Sequence, residues 1–218
     1  MAITYQDGIA NTYNTTGHAT LNTACSPNDL ICSFILLNNS SGIAYTISMS
    51  DNVNSGNYTQ LWDLLLGNLQ YSVFLMVANG SGTPTLTCTD FSTGGFVAAM
   101  RYNGFTGTPT LDQITTYTSG VGTSIASNAL VTGQNNELVI GWTWAGEAPV
   151  SPSFTARIGS NNTYNTCGFD ITAATSGTNE TLSYTVSTSA TWLAITLGVY
   201  GGVSPTTYPL PSQIYIMP

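Results

Sequence analysis

Ten acidic side chains are the largest group of residues in this sequence that could do chemistry. Two carboxyl groups on either side of a glycosidic bond can hydrolyse it, one as the acid and the other as base or nucleophile. Most acids in β proteins lie in solvated turns and caps, so we expect no glycosidase activity. The acids that could form such a pair are Asp63, Asp90, Asp112, Asp170, Glu137 and Glu147.

The sequence lacks the residues that other catalytic arrangements need. His18 is the only histidine, so a Ser-His-Asp or Cys-His arrangement would have to use it. It lies beside a turn, where a surface histidine at a strand edge is expected. The chain has no lysine, which excludes a phosphate-binding P-loop and a Schiff base. We therefore predict a protein without catalytic residues and without cofactors.

The four cysteines, Cys25, Cys32, Cys88 and Cys167, form no C-x-x-C pair. With a single histidine they cannot complete a common zinc site. Cys25 and Cys32 are seven residues apart and could close a loop as a disulfide. The alternative is that all four are small buried apolar residues.

The stretch DNVNSGN, residues 51–57, resembles a calcium loop because its glycine stands at the sixth position. Val53, however, occupies a place where a ligand is expected. A hairpin turn explains the stretch better, and no metal site is predicted.

Aromatic side chains could stack on sugar rings if they were exposed. Trp142 and Trp144 are two residues apart, so they share one face of a strand. Apolar neighbours surround these two and also Trp62 and Trp192. Core packing is therefore favoured for all four, and glycan binding remains an alternative.

The charge balance excludes several partners. The chain has 2 arginines, 10 acids and a net charge of −8, with 35 Thr, 22 Ser and 19 Asn. Nucleic-acid binding needs many cations, so DNA, RNA and anionic membranes are disfavoured. A basic or neutral protein surface is a compatible partner. No apolar run approaches the roughly 20 residues of a membrane helix.

Strands must position all of these residues. Strict alternation of apolar and polar residues predicts half-buried strands at 43–50, 83–90, 180–187 and 191–199. Strands buried on both faces are predicted at 31–37, 69–78, 96–102 and 137–144, as in the middle of a partly covered sandwich. Only residues 58–66 could form a helical turn. The pentapeptide GTPTL occurs at 82–86 and 107–111, but its flanks differ, which favours a shared turn over a duplication.

The amino-acid composition changes after Tyr200. Residues 202–218 contain four prolines and end in an apolar cluster, which predicts an extended arm. The arm could fold back on its own domain, reach a neighbouring subunit or form a loosely packed end, and we take contact with a neighbour as the working expectation. We thus expect an all-β, two-sheet antiparallel sandwich over 1–201 as a single domain, followed by this tail. The expected contact residues are Tyr208, Leu210, Ile214, Tyr215, Ile216 and Met217.

The ordered series ISMSDNVNSGNYTQ, FVAAMRYNGF, TPTLDQ, NELVIGWTWAG, PSFTARI and TWLAITLGVYG resembles jelly-roll-like β-sandwich modules. Such modules occur in bacteriophage virion proteins and in secreted bacterial proteins. The resemblance covers about 43–201 and includes no catalytic signature. It implies a fold and a setting, with members serving as display, adhesion or coat elements.

Two functions follow as expectations. The first is a phage virion structural protein, such as a capsid cement or decoration protein, located on the particle surface and assembled as a homo-oligomer, with a trimer as our guess. A Met1 start without a signal sequence fits assembly in a host cytoplasm. The alternative is a secreted carbohydrate-binding or adhesion module.

Overall fold

The computed structural model describes residues 2–13, 17–39, 41–56, 58–89, 94–145, 147–159, 165–173 and 175–201. Within these ranges the chain forms sixteen β-strands and no helix, which confirms the all-β antiparallel prediction. The strands are β1 (Thr4–Tyr13), β2 (Gly17–Thr20), β3 (Leu30–Asn38), β4 (Met49–Asp51), β5 (Thr59–Leu66), β6 (Leu69–Val77), β7 (Thr85–Cys88), β8 (Gly95–Asn103), β9 (Pro109–Ile114), β10 (Thr118–Ala126), β11 (Leu130–Val131), β12 (Glu137–Ala145), β13 (Thr155–Ile158), β14 (Thr166–Ala173), β15 (Asn179–Glu180) and β16 (Ser183–Gly201).

Two broad sheets form the body of the molecule. The first has the order β1-β8-β3-β6-β5, and the second has the order β10-β16-β12-β14-β13, with β9 also paired to β16. A three-stranded sheet, β2-β7-β4, and a two-stranded sheet, β11-β15, complete the fold. Each broad sheet is thus built from one half of the chain.

The strand order in the first half is that of a jelly roll. In an eight-stranded jelly roll, strands 1, 8, 3 and 6 form one sheet and strands 2, 7, 4 and 5 form the other. The orders β1-β8-β3-β6 and β2-β7-β4 follow this scheme, except that β5 stays hydrogen-bonded to β6. The small sheet therefore covers the outer face of the first broad sheet.

The second half repeats this order. The series β9-β16-β12-β14-β13 corresponds strand for strand to β1-β8-β3-β6-β5. The 19-residue β16 serves as two strands, because its pairing with β10 shifts register between Gly122 and Ser124. Its first part pairs with the end of β10 and forms a bridge to Val150, which completes the outer cover of this half.

Three apolar clusters follow from this layering. The central cluster lies between the two broad sheets and contains Phe34, Tyr71 and Met100 from the first half and Trp142 and Ile195 from the second. A second cluster fills the first half beneath the small sheet, and a third fills the second half. The sandwich predicted as two sheets therefore has an additional layer on each side.

The layering explains why four strands are apolar on both faces. Strands β3, β6, β8 and β12 coincide with the segments predicted to be buried on both sides, and almost all of their residues are buried. Alternate residues of each strand contact different clusters. For example, Phe34 and Leu36 face the central cluster, whereas Ile35 and Leu37 face the cover sheet.

Two local predictions need correction. Residues 58–66 form an edge strand, β5, and no helical turn. The strand predicted at 43–50 forms only at Met49–Asp51, and Ile43 is 71% exposed. Here the side chain of Gln70 takes the place of a neighbouring strand. Its amide accepts the N–H of Tyr45 and donates to the C=O of Tyr45, each at 2.8 Å.

The repeat in the fold is visible in short sequence matches. Asn28-Asp29-Leu30-Ile31 and Asn136-Glu137-Leu138-Val139 begin equivalent strands, and both asparagines have positive φ. The first strands of the two halves, β1 and β9, share a register shift opposite β8 and β16. The two GTPTL copies lie at non-equivalent places, leading into β7 and β9, so they do not mark the repeat. They also do not share one turn, because Gly82 has positive φ and Gly107 does not.

Close packing inside the central cluster can be tested at Gly168. A Cβ atom on this β14 residue would lie 2.7 Å from Trp142 Cζ3 and 2.9 Å from Met100 Sδ. We expect Gly168→Ala to lower the free energy of unfolding by about 1–3 kcal/mol in urea titrations, because overpacking forces side chains to shift. The control is Gly122→Ala, where a Cβ atom meets nothing within 4 Å. Equal stability of the two variants would contradict this packing.

Candidate functional site: the acid clusters of the two halves

Both cations of the protein are used inside the fold. Arg157 donates from Nε to the two oxygens of Asp170 at 3.0 and 2.8 Å, and its guanidinium lies 4.5 Å from the centre of the Tyr5 ring. This contact joins β13 of the second half to β1 of the first. Arg157 is partly exposed, with 32% of its side-chain surface accessible. Neither arginine is left as a free surface charge.

Arg101 is the centre of a buried cluster in the first half. It forms an ion pair with Asp29 and donates to Thr23 Oγ1 at 2.6 Å. Asp7 lies opposite Arg101 in the β1–β8 register and accepts the Thr23 N–H at 2.8 Å. Asp29 also accepts the Ser26 N–H at 3.0 Å. Each buried charge in this cluster therefore has an opposite charge or hydrogen-bond donors, as buried charges require.

The equivalent place in the second half holds two acids and no cation. Glu137 corresponds to Asp29 and accepts the Gln134 N–H at 3.2 Å, the same three-residue reach as in the first half. The Gly133 N–H donates both to Glu137 Oε2, at 2.8 Å, and to Asp112 Oδ2, at 3.1 Å. Glu137 and Asp112 thus meet at one backbone amide.

Gly198 stands where the first half has Arg101. Ile31 pairs with Arg101 across β3 and β8, and Val139 pairs with Gly198 across β12 and β16. A Cβ atom on Gly198 would overlap Glu137 Oε1, so the longer glutamate fills the space that an arginine side chain would need. As a result, Glu137 Oε1 is buried without a hydrogen-bond partner.

The lack of a cation beside Glu137 changes the pKa of its carboxyl group. The pKa of Glu137 is raised to about 7, chiefly by burial and also by the nearby Asp112 carboxylate, against the two backbone N–H donors that lower it. Burial also raises the pKa of Asp112. The physical cause is that a carboxylate loses its hydration here and gains no cation in return.

Two acids with different environments are the pattern of an acid–base pair. The sequence named both residues as hydrolase candidates, and the structure brings them together. Glu137 is 0% exposed, however, with Leu130 and Gly198 packed at its Oε1 end. A substrate could not reach this carboxyl without opening the second half, so the pair acts on stability in the folded protein.

The other candidate acids lie apart from this pair. Asp63 accepts hydrogen bonds from Gln70 and Ser72 on β6, and Asp170 is paired with Arg157. Glu147 accepts from Ser187 and Thr188, and these bonds lower its pKa to about 2. Asp90 lies outside the described residues.

The remaining reactive residues are held in structural roles. His18 lies exposed on the edge strand β2, as predicted, with Nδ1 3.1 Å from Thr87 Oγ1. All four cysteines are buried. Cys25 and Cys32 are not joined, because Cys32 faces the central cluster, where Trp142 Nε1 donates to its sulfur at 3.4 Å, while Cys25 Sγ lies 3.7 Å from Gly80 O.

The Asp51 carboxylate accepts its hydrogen bonds from the turn that follows it. Its carboxylate accepts the Val53 and Asn54 N–H groups and the Tyr58 hydroxyl, at 2.7, 2.6 and 2.8 Å. The turn leads from the small sheet to the first broad sheet and so is not a hairpin. Among the described residues no group of three or more His, Cys, Asp or Glu side chains could hold a metal ion.

The tryptophans divide by exposure. Trp142 is 0% exposed and stacks on Phe34 at 5.6 Å, which removes it from the sugar-binding candidates. Trp62 and Trp144 are half-buried against the central cluster. Trp62 lies 5.9 Å from the Tyr117 ring, and Trp144 meets the ring of the buried Tyr71 at 6.0 Å.

The six tail residues predicted as partner contacts, Tyr208, Leu210, Ile214, Tyr215, Ile216 and Met217, lie outside the described residues.

Reasoning from the sequence did not identify the Asp29–Arg101 pair or the meeting of Glu137 and Asp112 at the equivalent place in the second half. The signal was present in the matching starts of β3 and β12, Asn-Asp-Leu-Ile and Asn-Glu-Leu-Val.

Comparison of the chain with protein-family models, curated proteins and solved structures gave no match. In the described part of the chain, no helix is long and apolar enough to span a membrane.

The state of Glu137 predicts a specific pH dependence. Its pKa in the folded protein, about 7, lies above the ordinary value of 4.5, so the folded state holds a proton that the unfolded chain releases. The stabilisation is complete below about pH 4.5 and is lost as the pH rises through 7, by about 3 kcal/mol in total. Urea titrations from pH 4.5 to 8 should show this fall in the wild type and a much smaller fall in Glu137→Gln.

The control for this experiment is Glu147→Gln. The pKa of Glu147 is lowered, so its contribution changes only below about pH 4.5. Between pH 4.5 and 8 this variant should keep the wild-type slope. If the free energy of unfolding of Glu137→Gln fell with pH as steeply as that of the wild type, the buried carboxyl of Glu137 would not be the cause of the pH dependence.

Proposed function

We propose that this protein is a non-enzymatic virion structural protein, a phage capsid cement or decoration protein or another particle-surface protein, that acts through protein–protein contacts. The observation that carries the proposal is the use of its two arginines and four cysteines inside the fold. Both arginines pair with acids, and the four thiols are buried. What the described surface offers to a partner is shape, hydroxyl groups, acidic side chains and strand edges.

The layered packing supports this proposal. Three apolar clusters tie the cover sheets and both broad sheets into one block. Interiors packed to this degree deform little, which suits a part that must keep its outline against a neighbour. The jelly-roll order of the strands agrees with the resemblance to virion modules, although strand order alone does not determine a function.

The exit point of the tail also supports a role in assembly. Gly201, the last residue of β16, pairs with Pro109, and its carbonyl accepts the Thr106 hydroxyl at 2.9 Å. A Cβ atom on Gly201 would lie 2.7 Å from Phe105 Cβ, so the chain is held tightly at this point. A segment that starts from a central strand is firmly attached to the block.

The tail provides the test. Deletion of residues 202–218 should weaken assembly by at least tenfold and leave the circular dichroism spectrum and urea midpoint of the body unchanged, because each of the three clusters is built from residues within the described part of the chain. Sedimentation velocity over a range of concentrations measures the assembly, for which a homotrimer is our working state.

A length-matched control replaces Ile214, Tyr215, Ile216 and Met217 by serine. If assembly depends on the apolar cluster, this variant should behave as the deletion does. Normal assembly of both variants would contradict the arm. Assembly lost only in the deletion would assign the contact to residues 202–213.

The alternative function is a secreted carbohydrate-binding or adhesion module. One observation favours it: Trp62, Tyr117 and Trp144 are all half-buried and could present part of their rings to a sugar. A glycan array with the wild type, Trp144→Ala and Trp62→Ala decides between the two functions. We expect no specific glycan. Binding that is lost in either variant would favour the adhesion module over the virion protein.

A further inference from the structure

Strand β5 is an outer strand of the first broad sheet with one unpaired edge. It is hydrogen-bonded to β6 on one side, and no other strand of the described chain pairs with it. Within the described residues, no backbone hydrogen bond joins its second edge to a loop. An edge of this kind presents a row of free N–H and C=O groups that can accept another strand.

The other outer strands of the two broad sheets are protected in ways that proteins commonly use to prevent strand addition. Strand β1 lies against β2 and β13. Strand β13 is only four residues long, and its pairing is irregular between Ala156 and Ile158. Strand β9 begins with Pro109 and is irregular at Asp112, and the register of β10 shifts after Gly122.

Strand β5 lacks such protection. Its pairing is irregular only between Gln60 and Trp62, so Trp62–Leu66 is a regular stretch of five residues. Four of the five are apolar, and Leu66 is 39% exposed. The one charge, Asp63, is already bonded to Gln70 and Ser72 of β6. The stretch is therefore short, regular, apolar and open.

We propose that Trp62–Leu66 is the acceptor edge for residues 213–217 of a neighbouring copy, which add to the first broad sheet as a further strand. This inference rests on the proposed function, because it names the surface that the arm contacts. Strand addition of this type draws affinity from main-chain hydrogen bonds and specificity from alternate side chains.

The sequence of the tail matches this edge in length and in chemistry. The segment Gln-Ile-Tyr-Ile-Met has five residues, is rich in β-formers and lies between Pro211 and Pro218, which limit the pairing at both ends. If the five residues of each segment pair in full, Tyr215 is opposite Leu64 in either strand direction and would share the face of Trp62 and Leu66. Ile214 and Ile216 would then share the face of Leu65.

The prolines favour an extended connection between Gly201 and this segment. Pro205, Pro209 and Pro211 disfavour helical turns at the residues before them. Eight residues in the polyproline II conformation, at about 3.1 Å each, would span roughly 25 Å. A connection of this length permits contact with a second copy, and cross-linking separates that contact from one within the same chain.

Disulfide trapping in the full chain tests the contact. Leu64→Cys combined with Tyr215→Cys should give chain-to-chain cross-linked species under mild oxidation, because the two residues are opposite each other in either strand direction and the four native thiols are buried. The control pair is Val121→Cys with Tyr215→Cys, because Val121 is 75% exposed on the outer strand β10. Equal trapping in the control overturns the proposal. So does a cross-link confined to one chain, or one that joins two Leu64→Cys positions.

A charge on the edge gives an independent measurement. Leu66→Lys should raise the dissociation constant of the full-chain oligomer at least tenfold in sedimentation equilibrium, and Val121→Lys should leave it unchanged. An unchanged constant in Leu66→Lys overturns the β5 edge as the acceptor. If deletion of the tail still abolishes assembly in that case, the arm retains its function and docks elsewhere. If the deletion also has no effect, the proposed function fails as well.

Discussion

The structure depends on one constraint: four central strands are buried on both faces, so each broad sheet must be covered twice. Strands β3, β6 and β8 of the first sheet and β12 of the second cannot be satisfied by a simple two-layer sandwich. The protein meets this constraint by packing the broad sheets against each other and by adding a cover on each outer face. Burial of apolar area on this scale is the main source of folding free energy. The polar strands, β2, β10 and the start of β16, lie in the outer layers because they need cover on one face only.

Both halves of the chain cover their central strands in this way. They differ in how they neutralise the acid at the start of the equivalent strands β3 and β12. In the first half the acid at the start of β3 is neutralised by Arg101. In the second half the equivalent acid is one methylene longer, the arginine position is a glycine, and the carboxyl has a raised pKa. Replacing a paired charge by a single uncompensated carboxyl costs stability when it ionises. The second half is therefore the one whose folding free energy responds to pH near neutrality.

Much of the fold could be predicted from hydrophobic patterning, because burial on one or two faces leaves a direct trace in the residues. The two-sided strands and the faces of Leu193, Ile195, Leu197 and Val199 are of this kind. Patterning could not reveal that the two halves share a strand order, because pairing partners are set by contacts far apart in sequence. It also misplaced Ile43, since the side chain of Gln70 replaces a strand there. The meeting of Asp112 and Glu137 depends on the backbone of Gly133, which no spacing rule encodes.

Amide hydrogen exchange of the full chain tests the doubly covered strands most directly. Exchange protection reports the free energy of local opening, which should be highest where a strand is packed on both faces. The account predicts that the amides of β3, β6, β8 and β12 exchange slowest and together, and that those of β10 and of residues 183–190 exchange much faster. Exchange in β3 and β8 as fast as in β10 would contradict it, because the outer covers would then not be holding the central strands.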